Sequence, residues 1–153
     1  MMFKTHLAFA LFIGLLVFNY FEINTYWFFI LLLFGAGFAD IDTPKSKFGR
    51  KIKPLSSIIN FVFGHRKLIH SGLFLLVVGY AFYFFFGNYY IPFLIGYLSH
   101  LVLDAFSKEG INFIYPFKKL EVRGFVKTNG FIEKILFFIF IFLDVVLILI
   151  ILK

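Results

Sequence analysis

Residues Phe131–Leu152 read FIEKILFFIFIFLDVVLILIIL. Beyond Lys134 the run reaches Leu152 with a single ionisable side chain, Asp144. A helix crosses a bilayer with about 20 predominantly apolar residues, so this segment is long enough to span. In hydrocarbon every backbone polar group must be satisfied internally, which a helix does within one segment. The segment therefore sets the class: an all-α, polytopic integral membrane bundle.

Working outward, four more apolar segments lie upstream, at 7–21, 26–39, 68–87 and 89–106. With 131–152 they predict four to five transmembrane helices. The first two are short and are joined by the tight link Glu22-Ile23-Asn24-Thr25. Residues 55–63, LSSIINFVF, predict a short amphipathic helix lying in the interface. Pro44 follows Thr43, and the residue before a proline resists helix, so the second span ends by Thr43. The whole chain agrees with this reading. Of its 153 residues 61% are hydrophobic and 27 are Phe, whereas soluble domains are roughly 45–50% apolar. One domain, residues 1–153, is the natural organisation. The first hydrophobic run lacks a small-residue cleavage site after it and is expected to be a retained helix.

The net charge is +7. In a membrane protein this excess reports basic cytoplasmic loops before it reports nucleic acid, which is not expected as a partner. Lys45, Lys47, Arg50, Lys51, Lys53, Arg66 and Lys67 lie in one loop, and Lys108, Lys118, Lys119, Arg123 and Lys127 in another. The links at 22–25 and 87–90 hold no Lys or Arg. The expected arrangement is multi-pass in the cell (inner or plasma) membrane, with a cytoplasmic N-terminus and both basic loops inside, touching anionic lipid.

Within this greasy frame the polar residues sort by depth. His6 opens the first span, and Asp40 and Asp42 close the second. His65 and His70 flank the start of the third, and His100 and Asp104 lie in the last turns of the fourth. All seven fall at one membrane edge. Only Asp144 does not; its carboxyl is expected to be neutral or paired across an interface, because a carboxylate at that depth costs about 2.5–3.5 kcal/mol on insertion scales.

His100 and Asp104 stand at i,i+4 and so project from one helix face. Asp40 and Asp42 converge if the chain turns at Pro44. The chain has no cysteine, which excludes thiolate sites and disulfides. Imidazole and carboxylate without sulfur suit a divalent ion, Zn first, with Mn or Fe as alternatives. Seven ligand candidates exceed the three protein ligands of a mononuclear catalytic zinc and match two ions. The bland readings are a satisfied interfacial His6, a helix-internal His100–Asp104 pair and a capping Asp40-Ile41-Asp42. Their coincidence at one edge favours the metal site. Arg66, next to His65, is placed to clamp a phosphate or a developing oxyanion. Asp40 or Asp42 is a candidate general base.

"KTHLAFA", "GAGFADIDTPKSKFGRKI", "FGHRKLIHS", "GYLSHLVLDAF" and "GINFIYPF" occur here in order. Over residues 4–118 the sequence resembles the membrane-bound metal-dependent hydrolase family, also described as LexA-binding, inner-membrane-associated hydrolases. The resemblance implies that His6, Asp40, Asp42, His65, His70, His100 and Asp104 are that family's polar signature. The chain departs from it at Ala39 and Thr43, where the family often has Pro and His, and at Lys67-Leu68-Ile69, where Gly-x-Thr is usual. The His-x-x-x-Asp element is also similar to a ligand pair in zinc-dependent phospholipases C.

Three function classes follow. The first is a membrane-embedded, metal-dependent hydrolase of an ester or phosphoester, a lipid headgroup being the expected substrate class. The second is a non-catalytic metal-binding scaffold that recruits a cytoplasmic protein partner. The third, a metal transporter, fares worst, because the outer halves of the first four spans hold almost no ionisable group.

Overall fold

The computed structural model describes residues 1–42, 50, 53–54, 56–57, 68–117 and 120–153. Among the described residues the frame is made by α1 Phe3–Val17, α2 Thr25–Phe38, α3 Gly72–Phe86, α4 Tyr90–Ala105 and α5 Phe131–Ile151. The architecture is an all-α bundle. Among the described residues three helical runs are long and apolar enough to cross a membrane: Phe3–Tyr20, Gly72–Ala105 and Phe131–Ile151. Thr25–Ile41 is apolar but shorter. The 34-residue run Gly72–Ala105 folds back on itself at a 3₁₀ turn, Gly87–Tyr89. Its arms lie side by side, with the rings of Phe82 and Phe93 stacked 3.8 Å apart.

Local chemistry sets the helix starts. The Asn24 side chain accepts hydrogen bonds from the Tyr26 and Trp27 N–H groups and caps α2. Ser71 caps α3 by accepting from Phe74 N–H. The third helix therefore begins at Gly72, four residues later than the hydropathy run at 68 suggests. That cap leaves His70 in the turn just before the helix. At 15 and 16 residues, α3 and α4 are only about 23 Å long each, against a hydrocarbon core of about 30 Å. The interfacial helix expected at 55–63 falls almost wholly outside the described residues.

Packing centres on α2 against α4. A Cβ on Gly35 would lie 2.1 Å from the Phe93 carbonyl oxygen, and one on Gly96 would lie 1.9 Å from that of Leu32. Only hydrogen fits there, so the two backbones touch. In lipid, helices gain little from apolar burial as such, and close approach through small residues is the main source of association. Phe93, Tyr97, Leu101, Ala39, Ile69 and Ile111 form the buried cluster at this seam, and the Tyr97 hydroxyl donates to the Ile69 carbonyl. Helix α5 packs on α1, Phe140 resting against Phe9 and Phe12.

A two-stranded antiparallel pair, β1 Ile111–Asn112 with β2 Glu121–Val122, follows α4. Hydropathy gave no sign of it. It sits at the end of the bundle, where Gly72 N–H donates to the Phe113 carbonyl and ties the pair to the start of α3. At the same end Glu133, in the first turn of α5, is fully buried. Its carboxylate accepts from the backbone N–H groups of Met2 and Asn129.

Candidate metal centre

The start of α1, the end of α2, the start of α3 and the end of α4 meet at one end of the bundle. Asp104, 1% exposed, is the hub. His6 Nε2 lies 3.3 Å from its Oδ1, His70 Nε2 lies 3.4 Å from its Oδ2, and His100 Nε2 lies 3.6 Å from the same Oδ2. All three rings are buried. His6 stacks on His100 with centroids 3.7 Å apart, and His70 meets His100 edge-on at 5.4 Å.

His100 is oriented by the opposite helix. Its Nδ1 is 2.8 Å from the Ala36 carbonyl oxygen. A carbonyl only accepts, so Nδ1 carries the proton and Nε2 keeps its lone pair. This is the arrangement of a metal-binding histidine, whose second nitrogen is fixed by a backbone or carboxylate acceptor.

The separations argue further. N–H···O hydrogen bonds run about 2.7–3.2 Å, shorter than any of the three His–Asp distances. A tetrahedral ion with bonds of about 2.1 Å holds its ligands about 3.4 Å apart. The three imidazole nitrogens lie 3.3–3.6 Å from the Asp104 carboxylate, His6 at Oδ1 and the other two at Oδ2, at the outer limit of a hydrogen bond and near the edge length of a tetrahedral site. Among the described residues two sets of donor atoms each lie within 4.8 Å of one another: His6, His100 and Asp104, and Asp40, His70 and His100. His100 belongs to both, yet its single lone pair serves one ion. The donor set fits a divalent cation.

Of the seven residues singled out by sequence, five are brought together: His6, Asp40, His70, His100 and Asp104. Asp42 ends the 3₁₀ turn Ala39–Asp42, and its side chain lies outside the described residues. His65 and Arg66 also lie outside them. Asp144 is buried on α5, one turn beyond Phe140, away from the cluster. Among the described residues neither of its oxygens has a hydrogen-bond partner.

Sequence reasoning missed two contributors. The Met1 ammonium donates to Asp104 Oδ1 at 2.6 Å and compensates the buried carboxylate. The Ala36 carbonyl sets the tautomer of His100. Both are main-chain groups, and no residue type announces them.

Comparison with known proteins places the chain. The profile of a family described as YdjM inner membrane protein matches residues 1–152. An uncharacterized protein of Bacillus subtilis (strain 168), YvsG, is 38% identical over 109 residues, covering 66% of this chain and 65% of its own. The inner membrane protein YdjM of Escherichia coli (strain K12) is 34% identical over 84 residues, covering 50% of this chain and 43% of its own. The matched part is thus less than two thirds of each relative's length. No solved structure matches. The chain belongs to the YdjM inner membrane protein family.

Proposed function

We propose that this family member is a membrane-embedded hydrolase whose centre is a divalent-metal site at the His–Asp end of the bundle. The observation that carries the reading is the set of three buried imidazole nitrogens facing one carboxylate at tetrahedral-edge spacing. His100 and Asp104 are the principal ligands, with His6, His70 and Asp40 completing one or two ion positions. An ion of the Zn class held by these residues would supply Lewis-acid activation of water and substrate.

The chain's own residues do the rest. Ala36 fixes the His100 ring. Asp104 would face the ion through Oδ2, the oxygen nearest His70 and His100, while Oδ1 is engaged by the Met1 ammonium. Asp40, half-buried in the turn after α2, or Asp42 beside it in sequence, is the general base we propose where it is not engaged by metal. Arg66 is the candidate anion clamp. On the positive-inside reading this end lies near the cytoplasmic headgroups, and the substrate class we propose is an ester or phosphoester of a membrane lipid.

A second reading has one observation in its favour. His6, His70, His100 and Asp104 are each no more than 1% exposed. Closed sites are the mark of structural metals, and catalytic ones keep an open position. On that reading the chain is a metal-stabilised membrane scaffold with a protein partner at its basic loops.

Metal-to-protein stoichiometry of the detergent-purified chain, measured beside turnover on a panel of phospholipids and isoprenoid phosphates, separates the two. Bound metal with turnover supports the hydrolase. Bound metal with no turnover across the panel supports the scaffold. A metal-free protein that stays metal-free after incubation with Zn²⁺, Mn²⁺ and Fe²⁺ ends both.

A further inference from the structure

Helix α5 buries two of its side chains, Glu133 and Asp144, and leaves the rest half or fully exposed. Glu133 is the third residue of the helix, after the N-cap Gly130. A glutamate at that position commonly reaches back to the backbone N–H at the helix start. Here Oε2 does that local work by accepting from the Asn129 N–H. The local cap accounts for one oxygen. The other, Oε1, accepts from the Met2 N–H, far away in sequence at the start of α1.

Both arms of this carboxylate lead to the His–Asp cluster. The Met2 carbonyl accepts from the Thr5 and His6 N–H groups at 2.9 and 3.3 Å, so Glu133 holds the peptide on which the first turn around His6 is built. Met1, one residue earlier, lies on Asp104 Oδ1 at 2.6 Å. Glu133 therefore grips the chain between its two contacts with Asp104. On the other arm, Asn129 ends the stretch that leaves α4. That stretch is laced back to the end of α4: Lys108 N–H donates to the Val126 carbonyl, Val126 N–H to the Phe106 carbonyl, and the Ser107 hydroxyl to the Asp104 carbonyl.

We propose that Glu133 is a positioning residue of the metal centre, clasping the start of α1 to the stretch that leaves α4 and so setting His6 against Asp104. The contrast between the two stacked histidines supports this. His100 is anchored through Nδ1 by the Ala36 carbonyl. His6 has no comparable anchor: among the described residues neither of its ring nitrogens has a hydrogen-bond partner. Its ring is placed by stacking on His100 and by where its backbone is held. The effect on a bound ion rests on the metal-centre reading; the clasp itself does not.

The test uses the full-length chain in detergent. Glu133→Gln keeps the shape but turns one acceptor oxygen into an amide donor, which would face a backbone N–H. Three measurements are made: hydrogen exchange at residues 3–9, exchange in α3 as a reference, and Co²⁺ affinity. Exchange at 3–9 should rise while that in α3 stays at the parent level. Co²⁺ binding should weaken by about 10–100-fold, the usual effect of losing a group that orients a ligand. In a His6→Ala background Glu133→Gln should weaken it no further, because a residue that acts through His6 then has nothing left to place. Lys134→Ala, exposed on the same turn, should change none of the three. If Glu133→Gln does not purify as a folded species, Glu133→Asp, which keeps both acceptor oxygens on a shorter arm, takes its place. Unchanged exchange at 3–9 overturns the proposal. So does raised exchange with Co²⁺ affinity at the parent level, which would leave Glu133 a helix cap and tether only. A loss of affinity that adds in full to that of His6→Ala also overturns it. A parent chain that takes up no metal ends the metal-centre reading, while raised exchange confined to 3–9 would still support the clasp.

Discussion

His100 divides two duties between its ring nitrogens: Nδ1 answers to α2 through the Ala36 carbonyl, and Nε2 faces Asp104. Replacing it removes the one histidine that both donor sets contain, and with it a lone pair for whichever ion it serves. His100→Ala should therefore lower metal affinity by much more than the roughly 10–100-fold typical of losing an outer-shell partner. His6→Ala touches one set only. If two ions bind, it should leave one ion per chain by elemental analysis; the loss of both would show a single shared site. Asp104→Asn keeps the side chain's shape and removes its charge, so it should strip the metal while the protein still elutes as a folded species in detergent. Full metal occupancy in Asp104→Asn would refute the centre. Asp144→Asn, in the α1–α5 seam, should leave metal content at the parent level. The cluster was legible in sequence because histidine and aspartate are rare and costly inside apolar segments, so their common depth stood out. What was not legible lies in the main chain. The Met1 ammonium and the Ala36 carbonyl carry no residue-type signal, and the hub role of Asp104 needs three helices to be placed before it appears.

Helices α2 and α4 carry Ala36 and His100 on facing sides of one seam, so the spacing of that seam sets the site. Gly96 controls it. Changing Gly to Ala in a helix gains about 1 kcal/mol of propensity. The added Cβ would meet the Leu32 carbonyl oxygen at 1.9 Å, and a carbonyl in a helix has no freedom to retreat. Overpacking of this kind costs about 1–3 kcal/mol. Gly96→Val adds bulk without a compensating gain, so a lowered thermal midpoint in detergent, together with reduced metal content, is the expected outcome. An unchanged midpoint would show that the seam is looser than the structure has it. At this scale hydropathy foretold most of the elements. The segments at 7–21, 26–39, 89–106 and 131–152 correspond to α1, α2, α4 and α5. The start of α3 was misplaced because Leu68 and Ile69 are apolar but belong to a turn that the Ser71 side chain closes. The β1–β2 pair was invisible because two residues per strand are too few to show an alternating pattern.

The molecule as a whole has two unlike ends. His6, Asp40, His70 and His100 gather at one, and the chain leaves α4 there into the stretch that holds Lys108, Arg123 and Lys127. The turn at Gly87–Tyr89 marks the other end and carries no charge. Basic residues near membrane spans stay in the cytoplasm, so the site end should face the cytoplasm and the 87–89 turn the opposite side. The chain has no cysteine, which makes the orientation directly measurable. Lys127 and Asn88 are both exposed, one at each end. Lys127→Cys and Asn88→Cys, made singly, should differ when intact cells are treated with a membrane-impermeant maleimide. Asn88→Cys should be labelled, and Lys127→Cys only after the membrane is permeabilised. The reverse pattern would turn the bundle over and move any lipid substrate to the outer leaflet. Labelling of both in intact cells would mean that the α3–α4 hairpin, with arms of about 23 Å, enters and leaves by one face. In that case the short arms, and not the charge pattern, would govern where the site sits.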